Sequence, residues 1–263
     1  MCCDVMTVEP TASSSARSKA VRGVVLCLAI GLAAPAAAFP GLREGLFGQR
    51  PSDGRQGSTP LVARYVSEDG DAFTLDRSQP RPLLKFDNSY EVWALRPQPA
   101  PRGDTIYKND LGEPVLRATR LGGVTLFTDQ RPGGSAAALV GVGAPLRLAI
   151  MGPQALLERL AQASARASRA ARRLIPFEAE ATPSSSALIA DAAMVTSEAV
   201  VRMTKRGDAR RLLERIVKVH LTAGRKASAQ VTDGVLEVVV APPDGLAGRP
   251  SSDRIVQVAE TVR

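Results

Sequence analysis

Apolar positions along the chain follow two periods in succession, and the change falls near residue 151. From residue 61, short runs rich in β-branched and aromatic residues are broken by turn formers, the rhythm of strands and turns. It predicts strands at 61–67, 72–77, 82–86, 90–96, 105–107, 115–120, 124–128 and 146–151. Glu68-Asp69-Gly70-Asp71 and Asn109-Asp110-Leu111-Gly112 supply the Gly, Asn and Asp that tight hairpin turns require. Residues 96–102 hold three prolines, which interrupt a hydrogen-bonded ladder, so they are expected as an extended surface connection. Pro132-Gly133-Gly134 reads as a further loop. Leu121-Gly122-Gly123 and Gly141-Val142-Gly143 lack the strand and helix onset of a phosphate-binding fingerprint and read as turns or bulges.

Beyond residue 151, Leu156, Leu160, Ala163, Ala167, Ala170 and Leu174 recur at alternating spacings of four and three, one stripe of a helix that Pro176 ends. Arg159, Arg166, Arg169, Arg172 and Arg173 fall largely outside that stripe. A second helix over 187–205 buries Leu188, Ala192, Val195 and Ala199. Gly207 suits its end, and Asp208 caps a short third helix carrying Leu212, Leu213 and Ile216. Strand spacing then returns at 217–222, 227–232 and 235–241, with Asp233-Gly234 as a two-residue turn. Ser251-Ser252-Asp253 caps a final helix bearing Ile255, Val258, Ala259 and Val262. The pattern predicts an α+β fold: a β-rich N-terminal part built of hairpins, then helices packed with a three-stranded antiparallel meander. The parts, 61–150 and 151–263, are expected as two units or as one shared core.

Ahead of this lies a different kind of segment. Arg17, Lys19 and Arg22 precede an unbroken apolar run over 23–34, and Ala36-Ala37-Ala38 offers the small residues a signal peptidase needs. The run is about a dozen residues long, against roughly 20 for a bilayer-spanning helix. Residues 1–38 are therefore expected to be a signal peptide cleaved after Ala38, and the protein to be periplasmic. Residues 39–60, rich in Gly, Pro, Arg and Gln, are expected to be a flexible arm. The competing reading keeps 23–38 as an inner-membrane anchor.

Cys2, Cys3 and Cys27 all lie in that leader, so the mature chain would have no thiol. That removes cysteine catalysis and Cys-ligated zinc, and a single histidine, His220, removes a His-rich metal site. No cofactor and no metal are expected. About 225 mature residues are enough to bury a core without disulfides.

Charge narrows the partners. The net charge is +8 and falls to +7 without the leader, which removes three cations and two carboxylates. Residues 61–150 hold eleven basic and ten acidic side chains, and residues 151–263 hold seventeen and twelve, so the C-terminal half carries the field. In a cytoplasmic chain this would suggest nucleic acid. In an exported one the expected partner is an anionic envelope component or membrane surface, and no nucleic acid. Arg outnumbers Lys by 28 to 6, the bias of a GC-rich coding sequence, so part of the surplus is compositional.

The arginine face of the first long helix, Arg159, Arg166, Arg169 and Arg173, is the leading binding candidate. The densest polar cluster, with Arg102, Asp104, Lys108 and Asp110, could serve acid/base chemistry, though the same residues make an ordinary hairpin with a wet face. Alternation places His220 with Lys218 and Thr222 on a polar strand face, exposed and without a carboxylate to orient it. Ser184, Ser185, Ser186, Ser251 and Ser252 read as caps and loop residues, and Trp93 as core or as the lining of a cleft.

The stretches Gly103-Asp104-Thr105-Ile106-Tyr107-Lys108-Asn109-Asp110, Val115-Leu116-Arg117-Ala118-Thr119-Arg120-Leu121-Gly122-Gly123 and Thr125-Leu126-Phe127-Thr128 resemble an alphaproteobacterial family of exported domains of unknown function. Leu83-Leu84-Lys85-Phe86, Glu91-Val92-Trp93-Ala94-Leu95 and Gly248-Arg249-Pro250-Ser251-Ser252 belong to the same pattern. The resemblance implies an envelope setting and brings no catalytic residues with it. The leading expectation is a non-catalytic periplasmic binding or structural module. The alternative is a periplasmic hydrolase using carboxylate or serine chemistry around Asp104, Asp110 and the C-terminal loop.

Overall fold

The computed structural model describes residues 59–261, which belong to one compact unit. The expected signal peptide with its Ala38 site, the alternative anchor at 23–38 and nearly all of the 39–60 arm lie outside the described residues.

Nine strands come first: β1 (Val62–Ser67), β2 (Ala72–Asp76), β3 (Leu83–Phe86), β4 (Val92–Ala94), β5 (Arg96–Pro99), β6 (Thr105–Lys108), β7 (Pro114–Ala118), β8 (Val124–Thr128) and β9 (Arg131–Val142). They form one antiparallel sheet in the order β4-β3-β2-β1-β9-β8-β7-β6-β5. Its two edge strands are consecutive in sequence, with Leu95 alone between them. A sheet whose opposite edges are one residue apart has to curl until they meet, so the nine strands make a near-barrel. Alternate inward residues fill it, among them Tyr65, Phe73, Leu75, Leu84, Leu95, Leu116 and Leu126, all buried, as in other barrels of about eight strands, whose interior side chains can fill.

The hairpins at residues 68–71 and 109–112 form as expected, joining β1 to β2 and β6 to β7. Three local expectations fail. Residues 96–99 pair with β6 despite their prolines: Ala100 N–H bonds the Asp104 carbonyl, so even-numbered residues face β6 and the N–H-less Pro97 and Pro99 face the edge. Pro132-Gly133-Gly134 opens β9 instead of a loop. Residues 146–151 form no strand, because the Leu146 backbone is held by side chains: its N–H donates to Asp76 Oδ2 at 2.9 Å and its carbonyl accepts from Gln79 Nε2 at 3.2 Å.

The remainder comprises α1 (Pro153–Ala171), β10 (Phe177–Ala179), α2 (Ser186–Thr204), α3 (Ala209–Glu214), β11 (Lys218–Ala223), β12 (Ser228–Thr232), β13 (Val235–Val240), a 3-10 stretch (Pro242–Ala247) and α4 (Ser252–Thr261). The α1 stripe packs as expected through Leu156, Leu160, Ala163 and Ala167. The helix ends before Leu174, which stays exposed: Arg172 turns left-handed at φ 55° and sends Ile175 into the core instead. α2 buries Leu188, Ala192, Val195 and Ala199 and much of its remaining surface, as a central helix does. Among the described residues no helix is long and apolar enough to cross a membrane.

The expected fold class is overturned on two counts. The N-terminal hairpins are merged into one near-barrel, and the second sheet is not a three-stranded antiparallel meander. It has four strands in the order β10-β11-β13-β12, with β11 parallel to both β10 and β13. Only β12 and β13 pair antiparallel, across the Asp233-Gly234 turn. The most apolar strand, Val235–Val240, takes the central place, and the exposed β12 takes the edge. Residues 224–227 must then cross the end of β13, a gap of about 10 Å for two strand spacings. Four extended residues span about 13 Å. The crossing is tight: a Cβ at Gly224 would meet Val239 Cγ1 at 2.6 Å.

Candidate functional site

Residues 248–254 lie where the barrel meets the helices. Gly248 closes the 3-10 loop so tightly that a Cβ there would stand 2.0 Å from the Ala241 carbonyl oxygen. The chain then presents Arg249, whose side chain is 2% exposed. Its Nε bonds Asp191 of α2, its Nη2 donates to the Val92 carbonyl at 2.9 Å, and its Nη1 is 3.8 Å from Glu91. Ser252 donates to Glu91 through its amide at 2.9 Å and its hydroxyl at 2.6 Å. Arg202 reaches both Ser252 Oγ at 2.6 Å and Asp253 at 2.7 Å. Ser251 caps α4, its hydroxyl accepting from the Arg254 amide at 3.0 Å and donating to Asp110 at 2.7 Å.

Burial pushes the Glu91 carboxyl above the usual range, against the pull of Arg249 and Ser252. Burial also raises Asp253; Arg202 opposes the shift, while Asp110, Glu113 and Asp129 reinforce it.

This knot borders a cavity of about 940 Å³. It sits at the barrel end where the β6–β7 and β8–β9 turns emerge, and α4 and the last turn of α2 wall its other side. Phe86, Trp93, Val115 and Phe127 give it apolar surface. An aromatic file leads to it from the core: Tyr65 stacks on Phe73, Phe73 meets Phe86 at 5.9 Å, and Phe86 meets Trp93 edge-on at 5.8 Å. Four carboxylates line it, Glu113, Asp129, Asp253 and Glu260. Its two arginines are already engaged, Arg202 with Asp253 and Arg206 with Glu260 at 2.9 Å. Glu113 accepts from Asn109 Nδ2 at 2.9 Å, and no cation stands within salt-bridge distance of Glu113 or Asp129 among the described residues.

A second cleft, of about 500 Å³, lies between β3, residues 146–151, α1 and α2.

The residues singled out from sequence are dispersed. Arg159 and Arg166 line the second cleft, and Arg166 pairs with Glu198. Arg169 is exposed. Arg173 is committed to the Leu213 and Ile216 carbonyls. The other cluster separates: Asp104 is clamped by Arg117 Nε at 2.8 Å, which holds its carboxyl below the usual range, whereas Asp110 reaches across to Ser251. Arg102 sits in a turn at φ 66°, and Lys108 pairs with Arg96 and Pro114 in the sheet register. His220 is partly buried, with a carboxylate nearby, Glu180, at 3.6 Å. Among the described residues no group of three or more His, Cys, Asp or Glu could hold a metal ion.

Sequence reasoning missed Glu91, Asp191, Arg202, Arg249 and Asp253. For Glu91, Asp191 and Arg202 the local signal was charge at positions whose neighbours read as core, as in Tyr90-Glu91-Val92-Trp93, whereas Arg249 and Asp253 lie in a stretch that read as loop and cap.

A family model described as Domain of unknown function (DUF4908) matches residues 41–259, a span that includes the barrel, the second cleft and nearly all of α4. No curated protein and no solved structure matches the chain.

Proposed function

Because the chain belongs to the Domain of unknown function (DUF4908) family, whose description names no activity, we propose from the geometry that it is an exported binding module. Its barrel-end cavity holds an organic cation with an apolar body. The observation that carries this is the pairing at the cavity wall: both arginines are spent on neighbouring carboxylates, while Glu113 and Asp129, beside Phe86, Trp93 and Phe127, have no cation within salt-bridge distance among the described residues. Aromatic faces and carboxylates together favour a cation, the faces through their quadrupoles and the carboxylates through their charge. A volume near 940 Å³ suits a small molecule at a barrel mouth. Binding fits better than hydrolysis because the nearby hydroxyls are committed: Ser251 caps α4, and Ser252 bonds Glu91. The export reading rests on the leader sequence at 1–38.

The test is calorimetric titration of the purified chain with benzyltrimethylammonium and with neutral benzyl alcohol. The cation should bind saturably and more tightly than the alcohol, and E113Q with D129N should abolish that preference. Equal affinity for the two probes would contradict the proposal.

A further inference from the structure

The second cleft shares no lining residue with the barrel-end cavity and has the opposite electrostatic character. Its carboxylates are all engaged from within: Asp191 by Arg249, Glu198 by Arg166, and Glu91 by Ser252 and Arg249. Three cations at its edge, Lys85, Arg147 and Arg159, have no carboxylate within salt-bridge distance among the described residues. Arg147 also faces the buried Asp76 electrostatically, and Arg159 donates a hydrogen bond to Gln162 at 3.3 Å. The walls between them are apolar and include Leu148, Met151, Met194 and Leu246. Methionine side chains adapt to flexible apolar ligands. A volume near 500 Å³ lies within the range of small-molecule sites.

We infer that this cleft binds a single-chain anionic amphiphile, its head on Lys85, Arg147 and Arg159 and its tail along the Leu148, Met151 and Met194 wall. Guanidinium groups bind carboxylate or phosphate heads through charge-assisted hydrogen bonds, and the apolar wall rewards the tail. The proposal commits to an amphiphile over a free small anion, because cations alone would leave the apolar wall unused.

The experiment is calorimetric titration of the full chain with dodecanoate below its micelle-forming concentration, with dodecanol and acetate as tail-only and head-only controls. Dodecanoate should bind saturably and the controls about tenfold or more weakly. R147Q combined with R159Q should weaken dodecanoate binding about tenfold or more, whereas R169Q, at an exposed position of the same helix, should not. Arg147 and Arg159 are both exposed, so a circular dichroism spectrum matching the parent should accompany the loss. Trp93 emission should stay unchanged during the titration, since Trp93 lines the other cavity. Equal binding of dodecanol would reduce the cleft to an apolar surface, and equal binding of acetate would reduce it to an anion patch. Either result overturns the inference, as does full affinity in the double variant or a parallel Trp93 response.

Discussion

The Arg249 guanidinium donates to the Val92 carbonyl at 2.9 Å, joining positions 157 apart in sequence. That bond fastens the segment before α4 to the edge strand of the near-barrel. The same side chain meets Asp191 of α2, so barrel, central helix and C-terminal helix converge on one buried cation. Leu83 and Val92 of the barrel also share a small apolar cluster with Leu246 and Ala247. The two sheets therefore stand or fall together.

Arg249→Ala should destabilise the whole unit by about 3–5 kcal/mol, because it leaves the buried Glu91 and the partly buried Asp191 without their cationic partner. Urea denaturation followed by far-UV circular dichroism checks this. Loss of the helical signal with the barrel intact would show that the knot joins parts that fold separately.

Gly224→Ala tests the crossover that sets β11 beside β13. The added methyl meets Val239 Cγ1 at 2.6 Å, so a destabilisation of about 1–3 kcal/mol is expected from overpacking. An unchanged denaturation midpoint would be the result expected of an ordinary hairpin loop.

Much of the fold was legible where local chemistry decides the outcome. The 68–71 and 109–112 hairpins, the Asp233-Gly234 turn and the α1 stripe through Leu156, Leu160, Ala163 and Ala167 follow from turn residues and spacing. β9 was hidden because Gly133, Gly134, Ala136, Ala137 and Ala138 have weak strand preference; pairing with β1 and β8 on either side overrides it. The parallel β11–β13 pairing depends on which strand is best buried, a tertiary choice that a four-residue loop does not announce. The same holds for the site. Asp110 and Ser251 were both named, but their contact spans 141 positions, and Arg249 acquires its meaning only through Glu91, Asp191 and Val92.

The Asp104–Arg117 pair gives a pH dependence of definite sign. Its hydrogen bonds from Arg117 and Arg120 lower the folded-state pKa of Asp104 below the unfolded value. Its stabilisation is therefore fully present above the ordinary carboxylate range and is lost as pH falls through the depressed value. Asp104→Asn should lower stability at neutral pH and match the parent at strongly acid pH. A difference that persists undiminished in acid would assign the loss to packing.

The central claim, an organic cation held at the barrel end, is tested most directly by the chain's single tryptophan. Trp93 lines that cavity beside Phe86. Titration with benzyltrimethylammonium should change its emission saturably, and the response should weaken in the E113Q and D129N double variant. The neutral alcohol should produce less change at equal concentration. An emission spectrum unmoved by the cation, or moved equally by the alcohol, would contradict the account.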